Sequence, residues 1–388
     1  MVLSPLILFN NNERAFLEVN IMKNIIIKLI LLLPLISELV YAKQNLLDKD
    51  RNTEPAIASE KATSSFLIDA DTQGEWTILV GARGHILYQH AGEDNWQQAK
   101  VPVRVNLTSV TMTENHGYWA IGHDSIILKA QSPEKWQESH KGSYLAEVAK
   151  QEVNQRLNVL KAAVNPDIDL FDTLEYMRDE LEFSQQDGGG NSLFDIHMQE
   201  SGNGLIVGAS GWAFMTRDHG ENWVFISPNL NNPDLLHLYS ATSTPDGTLF
   251  IAGEAGLLFR SINGEQWQQL DIPYYGTILS AHTTNKKGEI YLLGMGGKLL
   301  HSIDNGEHWQ QLQLPSQTIL QGACTTHDDS ILLTGLGGQI FIVRGDKITH
   351  IPFSGRQHLS TPICASDHYQ VAGEGGVYTL DQSSISVD

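Results

Sequence analysis

Short apolar runs that end in glycine recur along most of this chain, each followed by a few small or polar residues and then a second apolar run. They span Trp76 to Gly81, Tyr118 to Gly122, Leu205 to Gly208, Leu249 to Gly253, Ile290 to Gly294, Ile331 to Gly335 and Tyr369 to Gly373. Six of these glycines have a partner three residues on, at Gly84, Gly211, Gly256, Gly297, Gly338 and Gly376, with Ser125 in the remaining copy. Two short apolar runs joined by a G-x-x-G turn predict a β-hairpin, with glycine supplying positive φ at little steric cost.

The intervals between successive anchor glycines are 41, 86, 45, 41, 41 and 38 residues. A period of about 40 residues with several short strands per unit is the mark of a β-propeller, whose blades bury their faces only against one another. A further strand precedes each phrase, as in Leu107 to Met112, Ile278 to Thr283 and Ile319 to Cys324. The expectation is an all-β, seven-bladed propeller over residues 64–388. Its last blade runs out after Leu380, so a segment within residues 43–63 is expected to supply the missing outer strand and close the ring.

The doubled interval between Gly122 and Gly208 contains no such phrase. Tyr144 to Val164 is rich in Ala, Glu, Gln, Lys and Leu, with Leu145, Val148, Val153, Leu157 and Leu160 apolar, and Asn165-Pro166 ends it. From Asp169 to Gln186, the residues Leu170, Leu174, Met177 and Leu181 fall on one helical stripe. Residues 141–190 are therefore a helical insertion between blades 2 and 3. In an up-down-up-down blade it shares a face with the G-x-x-G turns. That face, carrying Arg83, Trp212, Glu254 and Met295 together with the helical stripe, is the candidate partner-binding surface. The bland alternative is that the stripe simply packs onto the ring.

A second turn closed by tryptophan follows the hairpin in five of the copies. Ser302, Asp304, Gly306 and Trp309 fit S-x-D-x-G-x-x-W; Thr216, Asp218, Gly220 and Trp223 fit with threonine first; the version ending at Trp267 is one residue shorter. The aspartate accepts hydrogen bonds from its own turn, and the indole packs over the hairpin. Through these residues the chain resembles Asp-box (BNR) propellers, and more closely the photosystem II stability/assembly factor-like family. The Asp-box positions are structural. The resemblance implies a non-enzymatic scaffold that helps assemble a membrane protein complex, and relatives outside photosynthesis suggest work beside an envelope transporter.

Charge and termini narrow the setting. The net charge is -20, and the first 42 residues hold three acidic and three basic side chains, so the rest of the chain carries the whole imbalance. Such a field disfavours nucleic acid and anionic lipid. Residues 1–21 resemble an extension from a misassigned start. Residues 22–42 have the basic start, apolar stretch and small-residue site near Ala42 of a secretory leader. The expected mature protein is periplasmic or otherwise exported, without a membrane span, monomeric, and bound to a membrane or envelope protein. Cys324 and Cys364 fall on first strands of adjacent blades; they could pair in an oxidising compartment, although buried apolar filler is the commoner role.

Candidate chemistry is sparse. No catalytic, cofactor-binding or metal-binding set emerges. His197 and His282 lie on inner strands that line the channel, Asp69 and Asp71 lack calcium-loop spacing and read as turn residues, and no glycine-rich loop leads into a helix. Asp-box propellers include sialidases and other glycosidases, so a carbohydrate-binding or glycosidase propeller is the alternative. The chain lacks the Arg-Ile-Pro tripeptide of sialidases, and Arg217 and Arg260 fall on the Asp-box side.

Overall fold

The computed structural model describes residues 52–140, 142–186, 190–365, 368–381 and Ile385. From Glu54 onward, each glycine-ended run is the second strand of an antiparallel blade, and the described strands form seven such sheets arranged as a propeller. The inner strands are Leu67–Gln73, Leu107–Thr113, Leu193–Met198, Leu238–Ser243, Ile278–Thr283, Leu320–Thr325 and Leu359–Cys364. Six sheets have four strands, and the seventh has three among the described residues.

The anchor glycines differ from expectation. Gly81, Gly122 and Gly208 have φ of -175°, -170° and -169°, extended backbone open to any residue. A Cβ at Gly81 would stand 2.3 Å from the Phe66 carbonyl oxygen, and one at Gly122 would stand 2.2 Å from that of Asn106. Close approach to the chain entering the inner strand therefore demands glycine here. The positive φ falls two and three residues later, at Arg83 and Gly84 in the first copy.

Two rows of links stitch the inner strands across the blade seams. In the first, Asp69 accepts from the Val110 amide, Ser109 from the Ile196 amide, Asp195 from the Ala241 amide and Ser240 from the Ala281 amide. In the blade 6 to blade 7 seam this row has Gly322 where the acceptor would stand and Pro362, which has no N–H, where the donor would stand. A Cβ at Gly322 would lie 2.5 Å from the Ser360 carbonyl oxygen, so the side chain and the amide are lost together. The second row lies deeper. Asp71 accepts from the Met112 amide, His197 meets Ser243 at 2.7 Å, Thr242 meets Thr283 at 3.0 Å, and His282 meets Thr325 at 2.9 Å. Cys324 and Cys364 occupy the same two register positions in blades 6 and 7 and form a disulfide.

Asp69 and Asp71 thus lie on an inner strand rather than in turns. That strand pairs antiparallel with Trp76–Gly81, and Asp69 and Asp71, two residues apart, fall on its one face towards blade 2.

Among the described residues, no fourth strand pairs with the last blade. The Ala56 amide bonds to the Val101 carbonyl and the Ser59 amide to Gln98, so residues 54–59 run along the rim of blade 1. Ala62 then packs with Leu67, Leu79 and Leu87 against Ile363 and Ala372, filling the seam between blades 1 and 7. Residues 43–51, the rest of the segment expected to close the last blade, lie outside the described residues. At the other end, buried Ile385 joins the apolar cluster of blades 6 and 7, and its carbonyl accepts from Arg344.

The insertion forms two helices, α1 (Tyr144–Ala162) and α2 (Ile168–Gln186). Leu145, Ala149, Val153 and Leu157 of α1 share one core cluster with Leu174, Met177 and Leu181 of α2, with Trp119 and Ile121 of blade 2, and with Phe214, Trp223 and Phe225 of blade 3. The Tyr144 hydroxyl accepts from the Trp223 amide and its ring stacks on His140. The helical stripe is therefore spent on the ring, and Leu174, Met177 and Leu181 are buried rather than displayed. No described helix is long and apolar enough to cross a membrane.

The disulfide closes a sequence separation of 40 residues next to the seam that completes the ring. Replacing both cysteines by serine is expected to cost about 2–4 kcal/mol. Thermal melts of the variant and of wild-type protein with and without reductant check this; equal midpoints would contradict it.

Candidate functional site

The inner strands begin on the face that carries the turns between second and third strands. There the channel opens into a cavity of about 410 Å³ whose walls include Phe66, Ile68, Asp69, Phe194, Asp195, Tyr239, Leu279 and Gln321. Phe194 stacks on Tyr239 with ring centroids 5.1 Å apart. The two carboxylates are joined by one hydroxyl, since Ser109 Oγ lies 2.8 Å from Asp69 Oδ2 and 2.8 Å from Asp195 Oδ1. A hydroxyl donates a single hydrogen, so one of these contacts needs a protonated carboxyl. Asp195 also accepts from the Ser240 hydroxyl and the Ala241 amide, which suits an anion. Asp69 is the natural proton holder: burial, and secondarily the Asp195 charge, raise its pKa to about 7. Asp71 is raised to about 6 by burial. Deeper in the channel, burial lowers His197 and His282 to about 4, leaving both neutral near pH 7.

A second concavity lies where the insertion meets blade 3. Its walls are Met177 and Leu181 of α2 with Trp212, Phe225 and Leu235, Glu180, Ser184 and Ser210 stand at its polar edge, and its volume is about 340 Å³. Trp212 is fixed edge-on to Phe214 at 5.4 Å, and Phe214 packs on Phe225 at 5.1 Å. At the rim Phe183 is 64% exposed. The returning chain holds the groove to the ring face: Asn191 accepts from the Ser125 amide and hydroxyl, and Ser192 accepts from the Ala209 amide. The insertion and the G-x-x-G turns thus share a face, as strand direction requires.

Of the residues expected to bind a partner, Met177, Leu181 and Trp212 come together in this groove. Leu174 is buried beneath it and Leu170 packs against the same cluster. Arg83, Glu254 and Met295 sit on the turns of blades 1, 4 and 5, apart from the groove. Glu254 accepts from the His237 amide, while Met295 is 43% exposed. Phe225, Leu235 and Phe183 were not singled out; Phe183 sits off the apolar stripe, and the others enter only through tertiary contact. Asp69 and Asp195 were also missed as a pair. Their only sequence signal is the small polar residue at the same inner-strand position in blades 1 to 5.

The tryptophan-closed hairpins occupy the opposite face. Ser302 Oγ donates to Asp304 and accepts from the Gly306 amide, Asp304 accepts from the His308 amide, and the Trp309 indole N–H donates to the Gly306 carbonyl. Thr216, Asp218 and Gly220 repeat the pattern, and the Trp267 indole donates to Gly264. Despite some desolvation, these hydrogen bonds hold the Asp304 pKa down at about 2. The bonding is local and fixes the turn. Among the described residues, no three His, Cys, Asp or Glu side chains converge as a metal site.

Fold and face together define a seven-bladed propeller carrying an inserted helical hairpin, with a stitched channel and an apolar groove on one face. Solved structures share this fold. YCF48 bound to D1 peptide superposes with a TM-score of 0.57 at 14% identity, over 84% of this chain and 100% of that one. YCF48 from Cyanidioschyzon merolae gives 0.55 at 14% identity, over 81% and 95%. Selenomethionine-substituted virginiamycin B lyase from Staphylococcus aureus gives 0.59 at 10% identity, over 84% and 96%. No protein-family model and no curated protein matches the chain by sequence. The expected fold, and the likeness in fold to the photosystem II assembly factor, are thereby shown; an enzyme shares that fold too.

The channel proton sets a pH dependence. Asp69 binds its proton more tightly folded than unfolded, so its stabilising contribution is full below about pH 4 and is lost as pH rises through about 7. The histidines act oppositely, but only between about pH 4 and 6.5. From pH 6.5 to 8.5 wild-type protein should therefore lose about 1 kcal/mol. Asp69→Asn, whose amide can donate to Ser109, should flatten this slope, whereas Asp195→Asn should destabilise throughout because its amide would face donors. Urea melts across that range check both; a slope unchanged in Asp69→Asn would contradict the assignment.

Proposed function

We propose that this chain is a non-enzymatic, protein-binding scaffold of an exported compartment, acting as an assembly or stability factor for a membrane protein complex, in the setting of an envelope transporter. The observation that carries this reading is the groove between α2 and blade 3. It is an open apolar concavity built on a rigid ring, and its lining offers no nucleophile paired with a base. The disulfide supports an oxidising compartment, since such bonds persist mainly outside the cytosol. The secretory leader expected over residues 22–42 lies outside the described residues. The fold likeness to a propeller solved with a bound peptide of D1 supports the same kind of work, with the client left to experiment.

A second reading, a sugar or other small-molecule ligand at the channel mouth, is favoured by one observation. The cavity there combines two carboxylates with the stacked Phe194–Tyr239 pair. It ranks lower because the belt already engages Asp69 Oδ2 and both Asp195 oxygens.

Site-specific photo-crosslinking separates the faces. A photoreactive residue in place of exposed Phe183 is expected to give adducts with a membrane protein in envelope membranes, and one in place of exposed Ile303 on the Asp-box face is not. Adducts from position 303 alone, or stabilisation by sugars with no adduct at 183, would overturn the reading.

A further inference from the structure

We infer that the groove between α2 and blade 3 takes a basic segment of a partner polypeptide, seating one bulky apolar side chain in the concavity while flanking Lys or Arg residues meet the carboxylates of α2. The inference rests on the protein-binding reading above and adds the chemistry of the segment bound.

The concavity comes first. Its floor of Met177, Leu181, Trp212, Phe225 and Leu235 is apolar, and at about 340 Å³ it falls at the low end of ligand pockets, which span about 300–1,000 Å³. That suits a large side chain better than a cofactor. Phe183 stands 64% exposed at the edge, an aromatic ring beside the mouth of the concavity. A partner side chain entering the groove would cover both.

Charge then selects the neighbours of that side chain. Helix α2 carries six carboxylates and one cation, Arg178. Arg178 is engaged by Glu175 and Asp179, and Lys161 of α1 approaches the same Glu175 at 3.9 Å. Among the described residues this leaves Asp169, Asp172, Glu180 and Glu182 of α2 without a cation, and of these Glu180 lies at the groove and Glu182 is one residue from Phe183. No Lys or Arg lines the groove, and the whole chain is at -20. An acidic segment would be repelled, a wholly apolar one would leave the two glutamates unanswered, and a basic one complements both.

The test selects peptides from a random dodecapeptide library on the full chain at low salt. The expected winners place a Trp, Phe, Leu or Met between Lys or Arg residues, and their affinity falls as salt rises. Replacing the central apolar residue by Ala, or changing the protein by Glu180→Lys together with Glu182→Lys, should each weaken binding about tenfold or more. Both glutamates lie at the surface of α2, and an unchanged thermal midpoint shows that the variant folds. No binder from the library, acidic winners, or winners indifferent to the double variant overturn the inference. If position 183 still crosslinks to a membrane protein in that event, the protein-binding reading survives and only the basic chemistry falls. If it does not, both fail.

Discussion

The ring depends on the links that inner strands send across the blade seams to their neighbours. A propeller blade cannot bury its own faces, so the architecture rests on how neighbours are registered. Here a side chain at one fixed inner-strand position accepts a backbone N–H from the following blade, at Asp69, Ser109, Asp195 and Ser240 in turn. Each such bond satisfies an amide that would otherwise face the channel, and an unsatisfied buried amide costs about 1–3 kcal/mol. Where Gly322 and Pro362 remove acceptor and donor together, the disulfide two positions deeper holds the same pair of blades. The last seam, between blades 7 and 1, is closed by apolar packing of residues from both ends of the ring.

The belt also explains the electrostatics of the channel. Carboxylates placed for their acceptor oxygens sit close together and lose water, which is why Asp69 keeps a proton to about pH 7. Raised acid pKa values in a cavity are a familiar sign of catalysis. Here their physical cause is burial in the seams, with the Asp195 charge adding to it at Asp69. The groove has a different origin. It forms because α1 and α2 spend their apolar faces on blades 2 and 3 without filling the corner beneath Trp212, so the packing that anchors the insertion also leaves a concavity at its edge.

Legibility in the sequence followed the range of the interaction. The anchor glycines, the Asp-box turns around Asp218 and Asp304, and both helices are written within a few residues each, so blade count and insertion could be read directly. The reason for Gly81 and Gly122 could not, since it is the approach of Phe66 and Asn106 carbonyl oxygens rather than positive φ. The seam belt was hidden because its members lie about one blade apart and differ in type. The pairing of Cys324 with Cys364 needed the register of two inner strands, and the path of residues 54–59 along blade 1 left no periodic trace. Leu174, Met177 and Leu181 were rightly read as one stripe; its burial depended on Trp119, Phe214 and Phe225, far away in sequence. Phe183, off the stripe, was the exposed aromatic that mattered.

The central claim is that the ring presents a partner site where α2 meets blade 3. Hydrogen exchange on the full chain, alone and saturated with the membrane protein recovered by crosslinking, tests it most directly. The account predicts new protection concentrated in residues 176–184 and 209–213, with the Asp-box turns at 262–267 and 303–309 unchanged. Protection confined to those Asp-box turns, or to the inner strands lining the channel, would contradict it.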